Sequence, residues 1–60
     1  MIEIEELCKF KLLDKVEVVT GATKYTGKII KLSLEGVELE IKKFVHPLLL
    51  CKDIQAIKLV

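Results

Sequence analysis

The apolar positions of this chain follow a helical period at first and an alternating one after Asp14. From Ile4 to Leu13 the apolar residues Ile4, Leu7, Cys8 and Leu12 fall on one helical face, with Glu5, Glu6, Lys9 and Lys11 largely elsewhere. The acids precede the lysines, as the helix dipole prefers. The spacing therefore predicts a short N-terminal helix within residues 1–13, although Cys8-Lys9-Phe10-Lys11-Leu12 also alternates like a strand.

Beyond Asp14-Lys15, the β-branched run Val16-Glu17-Val18-Val19-Thr20 predicts a strand, and Gly21-Ala22-Thr23 is a turn signal. A second strand, from Lys24 to Leu34, carries Tyr25, Gly27 and Ile29 in one phase and Ile30, Leu32 and Leu34 in the other. A flat strand with one buried face does not switch phase. A strongly bent one does, and a glycine within a strand marks such a bend or a close backbone approach. Ser33-Leu34-Glu35-Gly36 supplies the next turn, and Val37-Glu38-Leu39-Glu40-Ile41-Lys42 alternates strictly, as a half-buried strand does. Pro47 marks a break, and Leu48 to Cys51 read as a short apolar strand. Ile54 and Ile57, three apart, suggest a single helical or 3₁₀ turn leading into a terminal strand.

The expected fold is mainly β: one domain over residues 1–60, with the N-terminal helix followed by a five-stranded, strongly bent antiparallel barrel over 15–60. Strands this short cannot stack as a broad sandwich, whereas curling into a small barrel hides most edges. A 60-residue chain buries only about 60% of its unfolded surface. With 52% hydrophobic residues, the expected compensation is a homo-oligomer formed by strand pairing, with the apolar last residues pairing against a neighbour.

Charge narrows the partners. Ten lysines against nine acids leave a net charge of +1, so there is no global basic field for non-specific nucleic-acid binding. All ten bases are Lys, which removes the bidentate fork of Arg but keeps a point charge for phosphate. The longest apolar stretch, Phe44 to Cys51, is broken by His46 and Pro47 and is too short to span a bilayer. No basic-then-apolar leader opens the chain, which predicts a cytoplasmic protein.

Candidate chemistry is sparse. His46, Cys8 and Cys51 are the only soft metal ligands and lack Cys-x-x-Cys or His-x-x-x-His spacing, so no metal is expected and the two cysteines read as buried core residues. Ser33 and the threonines have only His46 as a conventional base, and Glu38 and Glu40 fall on the polar side of their strand. Gly21, Gly27 and Gly36 are too far apart for a phosphate loop. These features predict neither an enzyme nor a cofactor. Lys24, Lys28, Lys31 and Lys52, with Tyr25 for base stacking, are the candidate RNA-binding residues.

The pattern Val16-Glu17-Val18-Val19, Tyr25-Thr26-Gly27-Lys28-Ile29, Leu32 and Leu39 resembles the first conserved block of the Sm-like proteins, the Hfq and LSm type. Leu50-Cys51-Lys52-Asp53-Ile54-Gln55-Ala56-Ile57 is similar to their second block, with Ile54 and Ile57 at its apolar positions. The resemblance implies an SH3-like barrel, ring assembly by strand pairing and RNA binding at the pore. Ser33 and Gly36 stand where the family usually has an Asp and then a base-contacting Asn, and its Arg-Gly or Lys-His pair is replaced around Leu50, Cys51 and Lys52. The expected function is a non-catalytic, self-associating Sm-like module that binds RNA. The alternative is a protein–protein adaptor with no nucleic-acid role.

Overall fold

Valines at alternate positions of a β-branched run place their side chains on one side of a strand, and that run supplies two of the fully buried core side chains. A computed structural model describes residues 2–60. It contains a helix, α1 (Ile4–Leu7), and five strands: β1 (Lys15–Thr20), β2 (Lys24–Leu32), β3 (Gly36–Glu40), β4 (Leu48–Leu50) and β5 (Ile54–Leu59). The strands form one antiparallel sheet in the order β4-β3-β2-β1-β5. Val16 and Val18 of β1 are fully buried, as are Ile29, Val37, Leu39 and Ile54 from three other strands, and Leu7 closes the core from α1.

The phase switch within the second strand is a β-bulge. Residues 24–28 of β2 pair with β1, whereas Lys28, Ile29, Lys31 and Leu32 pair with β3, and Ile30 is skipped in that register. The extra residue lets Ile29 and Leu32, three apart, both pack on the core. Because the two halves of β2 serve different neighbours, the sheet bends around it. At the bend, a Cβ on Gly27 would stand 2.5 Å from the Glu40 carbonyl oxygen, so the backbones of β2 and β3 approach more closely there than any side chain allows. A Cβ on Gly36 would fall on the carbonyl oxygen of Leu49.

Several boundaries differ from the sequence expectation. α1 stops at Leu7, Cys8 is exposed, and Leu12, expected on the buried face, is 59% exposed. The chain must turn here to deliver β1: the Leu13 N–H donates to the Ile29 carbonyl, with Leu13 in the left-handed region at φ 74°. Phe10, rather than Leu12, packs against the core. β2 ends at Leu32, so Leu34 lies in the turn, and β3 ends at Glu40 rather than Lys42. The spacing of Ile54 and Ile57 arises from a second bulge, not from a 3₁₀ turn. Val19 pairs with Ala56 and Thr20 with Ile54, which leaves Gln55 as the extra residue and turns both isoleucines inward.

The expected closure into a barrel is absent from the pairing. β4 and β5 are the two edges of the sheet and do not pair with each other. β4 is only three residues long and is taken up by β3 on one side, and the turn Cys51–Asp53 carries the chain directly across to β5 beside β1. The Ile2 N–H donates to the Cys51 carbonyl at 3.1 Å and ties the N-terminal segment to that turn. Among the described residues no helix is long and apolar enough to cross a membrane.

Candidate functional site

Strand register decides what the candidate lysines face. Lys24, Lys28 and Lys31 are all exposed, and the register sets Lys28 opposite Glu40 and Lys31 opposite Glu38 across β2 and β3. On the neighbouring pair, Glu17 lies opposite Lys58, with Nζ 3.6 Å from the carboxylate. His46 Nδ1 lies 4.0 Å from Glu38 Oε2. Opposite charges across strands attract weakly in water, but they also cancel the local field. There are two exceptions: Lys24 stands opposite Val19, and Lys15 pairs with Lys28 and lines with it an open cleft of about 400 Å³ beside Gly27, Glu40 and Ile41.

Tyr25 belongs to the other phase of β2. Half-buried, it packs against the core and lines a separate open cleft of about 550 Å³ with Thr20, Leu48, Leu50, Lys52, Asp53 and Gln55. The fold thus brings Tyr25 and Lys52 to one cleft and leaves Lys24, Lys28 and Lys31 outside it. Asp53, adjacent to Lys52, offsets its charge there.

The remaining polar groups serve the backbone. The Ser33 hydroxyl donates to the Gly36 carbonyl at 3.3 Å and holds the β2–β3 turn, and the Thr20 hydroxyl does the same for Thr23 at 3.0 Å. Glu38 and Glu40 face lysines rather than each other's substrate-sized gap. Among the described residues no three His, Cys, Asp or Glu side chains group as metal ligands. Both cysteines are free thiols. Cys8 is exposed, against the expectation that it packs in the core, and Cys51 is half-buried with Sγ 3.9 Å from the Leu34 carbonyl oxygen.

Sequence reading missed the hairpin that joins β3 to β4. Its tip is closed by Lys42 and Val45, with the Val45 N–H donating to the Lys42 carbonyl at 2.9 Å and the Ile41 N–H to the Val45 carbonyl at 3.0 Å. Lys42, Lys43, Phe44 and His46 are all exposed there. The signal was present as Lys42-Lys43-Phe44, but Phe44 entered the sequence reading only as the start of the longest apolar stretch. No protein family, curated protein or solved structure matches this chain.

Proposed function

We propose that this protein is a non-catalytic, Sm-like small-barrel module of the cytoplasm that self-associates through its edge strands and binds RNA. The observation that carries the reading is the pair of free edges. Leu39 N–H to Pro47 carbonyl and Cys51 N–H to Glu35 carbonyl mark the bonded positions of β4, so alternation points the backbone groups of Leu48 and Leu50 away from β3; the Leu50 carbonyl is taken by the Asp53 N–H at 2.9 Å, which leaves the Leu48 N–H and carbonyl and the Leu50 N–H for a partner. The Val60 N–H to Lys15 carbonyl bond does the same for β5, turning the groups of Ile57 and Leu59 outward. Each edge thus offers a short apolar ladder to its counterpart on another copy, and that pairing would complete the barrel wall between subunits. Nine buried apolar side chains stand against ten exposed large ones among the described residues, which favours further burial by assembly.

Light scattering is the test of assembly. A native mass that is a multiple of 6.8 kDa is expected, and Leu48→Lys or Leu59→Lys should reduce it, both positions being more than half exposed and so tolerant of lysine. A 6.8 kDa species for the unaltered chain would remove the reading. RNA binding is tested by anisotropy titration with oligo-U and oligo-A at two salt concentrations, with weaker binding expected at the higher one.

The adaptor alternative draws on the charge pattern of the sheet. With Glu38 and Glu40 opposite Lys31 and Lys28, the outer face has little positive potential for a phosphate backbone. A pull-down with and without nuclease separates the readings, because partners held through RNA are lost on digestion and protein partners are retained.

A further inference from the structure

We infer that the tip of the β3–β4 hairpin is a contact site for single-stranded nucleic acid, with Phe44 as a stacking platform for one base and Lys42 and Lys43 beside it for phosphates. The inference rests on the RNA-binding part of the proposed function and gives it a location that the candidate lysines of β2 do not.

Phe44 occupies the third position of the turn closed by the Val45 N–H and the Lys42 carbonyl, with φ 67°. A turn with positive φ at that position selects glycine or asparagine, and a bulky aromatic there is a backbone outlier. The ring gains no burial in exchange, being 82% exposed. Leu13 has a similar positive φ, but its N–H is bonded to the Ile29 carbonyl, whereas Phe44 makes no such backbone bond among the described residues, and strain of this kind collects at sites that bind. The Lys43 ammonium lies 5.3 Å from the ring centroid, which brings positive charge to the ring and to any base stacked on it. Neither Lys42 nor Lys43 has a carboxylate within ion-pair distance among the described residues, and, unlike Lys28 and Lys31 with a glutamate opposite each, Lys42 stands opposite Val45. Their charge is therefore available to an incoming anion.

A stacking aromatic flanked by unneutralised lysines is the minimal equipment for binding single strands without sequence preference. Insertion into a membrane would call for a broader apolar tip, whereas Ile41 and Val45 beside Phe44 are each 38% exposed against 82% for the ring, so Phe44 alone projects fully.

The test is anisotropy titration of the full chain with a short labelled single-stranded oligo-A at low salt. Phe44→Gly should keep or raise the thermal midpoint, since glycine accepts the positive φ, and should weaken binding about tenfold. Phe44→Trp should restore binding, and because the chain has no other tryptophan its fluorescence should be quenched on addition of the oligonucleotide. Replacing Lys42 and Lys43 together by Gln should lower the salt slope by about 1 to 2 units. If the unaltered chain binds and Phe44→Gly binds equally well, the tip is not the site, while RNA binding itself stands. If the unaltered chain does not bind, both readings fall. Loss of co-sedimentation with anionic vesicles in Phe44→Gly at unchanged RNA affinity would overturn the inference in favour of a membrane contact. A reduced native mass for that variant, again with RNA affinity unchanged, would overturn it in favour of an interface between copies.

Discussion

Replacing Gly27 by alanine tests whether the bend in β2 depends on backbone approach or only on the bulge beside it. The added Cβ would sit 2.5 Å from the Glu40 oxygen, 3.0 Å from its carbonyl carbon and 3.2 Å from the Ile41 Cα. All three are main-chain atoms of β3 and its extension, so no side chain can swing aside. To reach ordinary contact the two strands must part by roughly 1 Å, at the point where Lys28 pairs with Glu40. Overpacking of this kind costs about 1–3 kcal/mol, offset by about 0.4–1 kcal/mol because alanine restricts the unfolded chain. The expected net loss is about 1–2 kcal/mol. For a domain of this size it lowers the thermal midpoint by roughly 5–15 °C. Gly21 is the internal control: its nearest neighbour would be Gln55 Nε2 at 3.7 Å, and its φ is not positive. Gly21→Ala should therefore raise stability by about 0.4–1 kcal/mol. Far-UV circular dichroism during heating, at one fixed protein concentration so that assembly does not shift the midpoint, measures both. Midpoints that move together in the same direction would refute the close-approach argument.

Two further outcomes follow from burial. Ile29 is fully buried where β2 meets both its neighbours, so Ile29→Ala should cost about 2–5 kcal/mol and leave a large unfolded fraction in urea titration, while Ile30→Ala, at the exposed bulge, should cost under about 1 kcal/mol. In the native protein a thiol reagent should modify Cys8 in a fast phase and Cys51 in a slower one, the two converging in denaturant, because only Cys8 is exposed. Lys58→Ala should change the urea midpoint by less than the error of the fit, the Lys58–Glu17 pair being solvent-screened.

How far the sequence reaches is clearest at individual residues. The alternation of Val16 and Val18, and of Val37 and Leu39, determined which side of β1 and β3 is buried, because a period of two leaves one choice. The switch of phase around Ile30, with Gly27 just before it, determined that β2 is bent. What the local pattern did not settle was decided by partners distant in sequence. Helical periodicity from Ile4 to Leu12 yielded to the bond between Leu13 and Ile29 that begins β1, and the spacing of Ile54 and Ile57 became a bulge because β5 had to keep register with β1. Charge behaved the same way. The lysines of β2 are legible one by one, but whether they form a patch depends on the strand that lies alongside, and β3 brings Glu38 and Glu40. Phe44 is the reverse case. Its apolarity made it only the start of the longest apolar stretch, and the turn geometry, with positive φ and the ring in solvent beside Lys43, made it a surface feature. Composition and period report what each residue prefers, whereas register and turn conformation determine what stands next to it.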